Sequence, residues 1–253
     1  MARPLALVTG GWRRIGAAIA TALANDGWDL ALHAHHVEAF DEAFAAELRQ
    51  TGAQARGFAA DLADADAPER LVGDVAHAFG RAPTLLVNSA SIFRDDRLAT
   101  VTAESLDAHM RTNLYAPVLL TQAFASALGD AEGGVVMLLD QRVRNPVPDQ
   151  LAYSLSKQAL HASLGNLARE LAPRVRVNGV APGLVLPTAD YDEAQWERLR
   201  AMMPLERLPT PADVASAVVW LARAPAVTGQ TVFVDAGANL EAYPRDFVYL
   251  GRE

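Results

Sequence analysis

A single α/β domain, doubly wound, with a parallel sheet of about seven strands flanked by helices, is the fold predicted for this chain. Three observations predict it. A short apolar run ends in a glycine turn and passes into an Ala-rich helix, apolar strand-like runs then alternate with helix-length segments, and 51% hydrophobic residues in 253 supply a large core. No Ser/Gly-rich linker, internal repeat or low-complexity tract divides the chain, so residues 1–253 are read as one domain.

The elements follow in order. Pro4 to Val8 reads as a strand, Ala17 to Asn25 as a helix, Asp29 to His33 as a strand and Val37 to Thr51 as a helix. Ala53 to Ala60 is a third strand, followed by a helix over Ala67 to Phe79 and a buried strand over Thr84 to Val87. A long helix is expected from Ser105 to Leu128, then a strand over Gly134 to Leu139 and a helix over Tyr153 to Leu171. Val175 to Val180, a helix over Pro211 to Ala222 and a last strand over Thr231 to Val234 complete the alternation. Strands joined by helices of this length need right-handed crossovers, which makes the sheet parallel and covers both faces.

Composition narrows the partners. A net charge of −8 argues against a nucleic-acid or anionic-membrane surface, because phosphate is bound through clustered positive charge. The absence of cysteine excludes disulfides and thiolate metal sites, and no metal is expected. The opening Met1-Ala-Arg-Pro-Leu-Ala-Leu-Val-Thr runs straight into a strand, leaving no room for a signal peptide. No apolar run reaches the roughly 18 residues of a membrane span. A soluble cytoplasmic protein is the expectation.

The first turn suits a nucleotide. Gly10, Gly11 and Gly16 lie between the first strand and helix, where a tight turn brings a pyrophosphate to the positive helix N-terminus. Dinucleotide sites usually hold the ribose with a carboxylate at the end of the second strand, but here that place reads His33-Ala34-His35-His36. With Arg13 and Arg14 in the turn and His35 and His36 facing them, the extra phosphate of NADP(H) fits better than NAD. A solvated strand end is the plainer account of the histidines. Asp61, at the end of the third strand, could accept from the adenine amino group or cap the next helix.

One further oddity is chemical. The 22 basic residues include a single lysine, Lys157, four positions after Tyr153. At that offset on a helix the ammonium and the phenol share a face, and a nearby cation brings a phenol of pKa near 10 closer to working pH. Taken with Thr9-Gly10-x-x-x-Arg14-Ile15-Gly16, Asn88-Ser89-Ala90, Asn113 and Pro182-Gly183, the pair resembles the short-chain dehydrogenase/reductase family across nearly the whole chain. The resemblance implies that Tyr153 donates a proton, that Lys157 holds the nicotinamide ribose and lowers the tyrosine pKa, and that Asn113 anchors a relay water. Gly10, Arg13, Arg14, Ile15, Gly16, Asp61, Leu62, Asn88, Ala90, Pro182 and Gly183 would line the cofactor.

The chain departs from that family where its catalytic serine is expected, 13 residues before the tyrosine, and carries Asp140 instead. An ionised carboxylate beside a ketone oxygen opposes the negative charge that builds there during hydride attack. It is better suited to reduction of a ring C=N, where a proton must reach nitrogen and Asp140 could relay it through Tyr153. Asp140, Arg14-Ile15-Gly16 and Phe93 together look like the pteridine reductase and dihydromonapterin reductase branch, with alternative dihydrofolate reductases beside it. By that resemblance Phe93 would stack on a pterin, Ser91 would bond to ring or phosphate, and Arg14 would reach cofactor and substrate; an ordinary core aromatic is the other account of Phe93.

Two readings compete with a pterin or folate substrate. One is ketone reduction, as of a 3-oxoacyl thioester, with Asp140 protonated as a donor; the other is a catalytically silent NADP(H)-binding sensor or scaffold. The segment at about 184–210, with Pro187, Tyr191, Trp196, Met202 and Met203, is expected to form a lid over the cleft or to pack as a short helix. Family members commonly form homotetramers. The tail at about 238–253 is longer than the family's usual ending, and Tyr243, Phe247 and Tyr249 on it would be buried against a neighbouring subunit.

Overall fold

The computed structural model describes residues 3–187 and 191–252. Seven parallel strands form one sheet in the order β3-β2-β1-β4-β5-β6-β7. They are β1 (Leu5–Val8), β2 (Asp29–Ala34), β3 (Ala55–Ala59), β4 (Leu85–Asn88), β5 (Gly133–Leu138), β6 (Val175–Pro182) and β7 (Thr231–Val234). All seven expected strands form. Strand order reverses between β1 and β4, and a crevice at such a switch point, beyond the carboxyl ends of the strands, is where open α/β sheets bind ligands.

The central strands are apolar throughout because helices cover both faces. One layer holds α1 (Arg14–Asn25) over β1 and β2 against α8 (Pro211–Arg223) over β5 to β7, with Ile19, Leu23, Val214 and Val218 buried. The opposite layer holds α3 (Ala67–Phe79), α5 (Ala116–Leu128) and α6 (Leu151–Leu171), with Leu71, Val75, Leu120, Phe124 and Leu164 fully or nearly fully buried. No helix among the described residues is long and apolar enough to cross a membrane.

Two helices are divided where one was expected, each for a local reason. The helix expected over Val37 to Thr51 is a single 3-10 turn, Val37–Ala39, followed by α2 (Glu42–Gln50), because the Asp41 side chain accepts from Phe44 N at 3.0 Å and starts the helix anew. The long helix before β5 opens earlier, capped by Thr102, and is divided into α4 (Ala103–Met110), a π turn over Arg111–Tyr115 and α5. Pro117 stands at the break and has no N–H to give to the Asn113 carbonyl, the bond an α-helix would make there. The expected lid contains α7 (Glu193–Met202), capped by Asp192 through Gln195 N; residues 188–190 of that segment lie outside the described residues.

The tail folds back on its own chain, where Phe247 is buried with Leu199 and Met203 and Tyr243 packs against the same cluster. Gln195 Nε2 donates to the carbonyls of Phe247, Val248 and Leu250, and Tyr243 OH to that of Met202. Tyr249 OH donates to Asp95 Oδ1 at 3.0 Å. Phe247 thereby finds its cover within the molecule, while Tyr243 and Tyr249 stay half-buried. Met203 likewise packs into this cluster.

Candidate active site

The turn after β1 is held by two side chains. Thr9 Oγ1 accepts from Ser89 N and Ala90 N at 2.9 and 3.0 Å, tying the turn to the end of β4. Buried His33 accepts from Gly10 N through Nδ1 at 3.3 Å and meets Ala60 O through Nε2 at 2.9 Å, so the Nε2–H tautomer spans β1 to β3. Burial pushes its pKa down despite the carbonyl bond, which keeps the ring neutral. Of the histidines at this strand end, His33 is the one whose role sequence reasoning missed.

Two glycines have no substitute. Gly10 has φ +64°, and a Cβ on Gly16 would lie 2.0 Å from the Gly10 carbonyl oxygen. Arg14 opens α1 at φ +56°, a left-handed conformation that costs a non-glycine residue about 1–2 kcal/mol and persists where surrounding structure demands it. Arg13 and Arg14 are both exposed, with no ion-pair partner among the described residues, whereas Ile15 is half-buried.

The strand-end histidines are held by a carboxylate and by each other. His35 Nδ1 lies 3.5 Å from Asp61 Oδ1 and its ring stacks edge-on against His36, 3.9 Å between centroids. Asp61 also accepts from Ala63 N at 2.9 Å, which caps a turn rather than α3. Leu62 and Asn88 are buried; Asn88 Nδ2 donates to Met137 Sδ at 3.2 Å, bracing β4 on β5, and its Oδ1 has no hydrogen-bond partner among the described residues. Gly183, after Pro182 at the end of β6, packs so closely on Asp235 that a Cβ would lie 2.8 Å from its Cα.

Across the switch point, α6 carries Tyr153 and Lys157, both buried. Tyr153 OH donates to Asp140 Oδ2 at 3.0 Å. Lys157 Nζ donates to Leu138 O at 2.7 Å and lies 5.8 Å from the centre of the Tyr153 ring. Burial lowers the Lys157 pKa to about 8, with Asp140 opposing the shift. The tyrosine moves opposite to the expected direction: burial and then the charge of Asp140 hold it well above the usual phenol value. The carboxylate on its hydroxyl outweighs the ammonium, which is directed at a carbonyl.

Asp140 follows β5, and its charge is set by a residue the sequence reading did not name. Arg142 places Nε 3.0 Å from Asp140 Oδ1 and Nη2 3.2 Å from Oδ2, while its backbone N–H also donates to Oδ1 at 2.8 Å. Burial pushes the Asp140 carboxyl up, but the Arg142 charge and these bonds outweigh it, and the net shift is downward. Arg142 itself is only 6% exposed, lying 5.1 Å from the Tyr153 ring centre and 5.6 Å from that of Phe93. Burial disfavours its charge, but Asp140 and Asp246 more than compensate and its pKa is raised. An arginine two residues after the aspartate that replaces serine was the available signal.

Asn113, in the π turn, spends its whole side chain on structure. Oδ1 accepts from Ile92 N and Ser91 Oγ, and Nδ2 donates to Ile92 O and Ser156 Oγ, all at 2.9–3.1 Å. Any water it anchors must use the main-chain carbonyl that Pro117 leaves without an α-helical donor. The same bonds fix the segment bearing Phe93. That ring is 53% exposed and meets Tyr153 edge-on, 4.8 Å between centroids, so it is not a core aromatic but an open apolar face beside the tyrosine ring.

Known proteins resemble this chain over nearly its whole length. The family model described as Enoyl-(Acyl carrier protein) reductase matches residues 11–239. An uncharacterized oxidoreductase of Mycobacterium tuberculosis is 36% identical over 241 residues, 92% of this chain and 91% of the relative. The 3-oxoacyl-acyl-carrier-protein reductase FabG of Staphylococcus aureus is 32% identical over 240 residues, 92% of this chain and 96% of FabG. Among solved structures, FolM alternative dihydrofolate reductase 1 from Brucella suis in complex with NADP superposes with a TM-score of 0.89 at 35% identity, covering 95% of this chain and 96% of FolM. Likeness of this extent, in sequence as well as in fold, means that the chain belongs to the short-chain dehydrogenase/reductase family.

Proposed function

We propose that this chain is an NADPH-dependent reductase of oxidised pterins, taking a dihydropterin or dihydrofolate to the tetrahydro form. The observation that carries the reading is Asp140, held ionised by Arg142 and bonded to the hydroxyl of Tyr153. A C=N group gains positive charge when its nitrogen is protonated, and a fixed carboxylate stabilises that charge. A ketone oxygen gains negative charge in the same step, which the same carboxylate opposes. For Asp140 to act as a neutral donor, as ketone reduction would require, it would have to take a proton against the Arg142 charge. The open face of Phe93 offers a flat ring an offset stacking partner beside Tyr153.

The residues present fit NADP(H), which the FolM structure also carries. The closed glycine turn would present backbone N–H groups to the pyrophosphate at the start of α1, and exposed Arg13 and Arg14 would meet the extra phosphate at a strand end that supplies no carboxylate of its own. Lys157 would hold the nicotinamide ribose. The cofactor supplies the hydride; the chain orients the ring on Phe93, delivers the proton from Tyr153 to nitrogen and balances its charge with Asp140. Cytoplasmic location and assembly as a homotetramer belong to the same reading, the latter checked by gel filtration.

A side-by-side NADPH oxidation assay tests the substrate. Dihydrobiopterin or dihydrofolate should be turned over, and acetoacetyl thioester slowly or not at all; the reverse pattern would sink the pterin reading, and binding of NADPH without turnover of either would support the silent sensor. The same assay carries a pH test. With its pKa near 8, Lys157 is charged below that pH and neutral above it, so kcat/KM for NADPH should fall as pH rises through about 8. Lys157→Arg, whose charge does not titrate there, should be slow at every pH and lack that limb. A wild-type profile flat to pH 9.5 (about 1.5 units past the midpoint) would show that the lysine charge is not used.

A further inference from the structure

The C-terminal tail does more than cover α7. It carries Asp246 into the charged centre behind Tyr153, where Asp246 Oδ2 accepts from Arg142 Nη1 at 2.8 Å. Both side chains are buried, and Gln150 Oε1 accepts from the same Nη1 at 2.9 Å. The guanidinium is thus shared between two carboxylates, Asp140 on its Nε and Nη2 edge and Asp246 on its Nη1 end. We propose that Asp246, delivered by the tail, is a positioning residue for proton transfer, acting through Arg142 on Asp140 and Tyr153. The inference rests on the roles given above to Asp140 and Tyr153.

The tail is built to hold that carboxylate still. Asp246 N donates to Asp149 Oδ2 at 2.9 Å, and Val248 N donates to Asp246 Oδ1 at 3.0 Å, so the side chain is clamped from both directions along the backbone. Asp149, fully buried, is neutralised by Arg245 at 2.8 Å and Arg97 at 3.3 Å, while Arg142 is the cation bonded to the Asp246 side chain. Gln150, at φ +47° immediately before α6, is held by Asp95 at 3.2 Å while its carbonyl takes Arg142. Backbone strain at a residue that orients a buried guanidinium is the kind of local cost that persists at functional sites. The consequence is geometric: Arg142 is anchored at its far end and cannot turn its plane away from Asp140.

The charges around Asp246 are Arg142 and Asp140 after β5, Asp149 just before α6, Arg245 beside it on the tail, and Arg97 from the loop after β4, bound to Asp149. Asp246 adds negative charge to that centre, and with Asp140 it supports the proton on Tyr153. Asp246→Asn keeps an acceptor for Arg142 but removes the charge, whereas Asp246→Ala removes both. The expected result for Asp246→Ala is a fall in kcat of about tenfold or more with KM for NADPH little changed, and for Asp246→Asn a rate between that and wild type.

A second measurement reads Tyr153 without turnover. With 3,5-difluorotyrosine in the chain, whose fluorines make the phenol more acidic, the fluorine NMR signal of Tyr153, assigned by its loss in Tyr153→Phe, should titrate at lower pH in Asp246→Asn than in the unsubstituted chain. A midpoint that does not move, or wild-type kcat in Asp246→Ala, overturns the proposal. Absence of pterin turnover by the unsubstituted chain overturns the pterin reading instead, and the NMR titration still decides the role of Asp246.

Discussion

Gly16→Ala is expected to abolish measurable NADPH oxidation, with a loss of at least about 100-fold. The new methyl would lie 2.0 Å from the Gly10 carbonyl oxygen and 3.1 Å from Gly11 Cα, and all of these are backbone atoms that cannot swing aside as a side chain does. To admit it, the turn must open. Opening moves Gly10 N off His33 and changes the turn that Thr9 ties to Ala90, so the damage reaches the start of α1 and the end of β4 together. NADPH fluorescence titration should show binding lost in the variant while circular dichroism keeps the helix and strand content. Tight NADPH binding by Gly16→Ala would mean that the turn is not the cofactor's seat.

Arg142→Leu should be the most destabilising single change in the site. It leaves Asp140 and Asp246 buried with no cation between them, and removing one partner of a buried ion pair costs about 3–5 kcal/mol. Denaturant midpoints at neutral pH would register the loss. The sign of its pH dependence follows from the carboxylates: without Arg142 both have pKa values raised above those of the unfolded chain, so the folded form binds more protons and stability recovers as pH falls. The gap from the unsubstituted chain should therefore narrow between about pH 7 and pH 5. A gap that is constant over that window would mean that the lost stability comes from packing against Phe93 and Tyr153 and not from charge.

These two variants also mark where sequence reasoning reached and where it stopped. Gly16 was legible because its constraint is local: the turn closes within a few residues, and only a residue without a side chain fits. Tyr153 and Lys157 were legible for the same reason, since four residues on one helix share a face whatever surrounds it. Asp140 was legible as a departure from a pattern. Its ionisation was not, because that depends on an arginine whose direction is set by Gln150 and by Asp246, the latter 104 residues further along the chain.

The direction of the tyrosine shift was misjudged for a related reason. Sequence places a cation near the phenol but does not say what each group bonds to, and in the fold Lys157 serves Leu138 O while Asp140 takes the hydroxyl. Tyr243 and Phe247, left without a partner by sequence alone, found one in α7, which brings a surface for burial into the same molecule. His33 looked like one of three histidines at a strand end until the sheet showed it bridging Gly10 and Ala60.

By itself, then, the order of residues determined the parallel sheet, the glycine turn and the tyrosine and lysine on one helix face, because periodicity and short-range geometry act over a few residues. The tertiary structure alone decided which charges meet behind Tyr153. Burial magnifies every electrostatic contact there, and the contacts come from the end of β5, the start of α6 and the C-terminal tail, segments whose meeting no local pattern records.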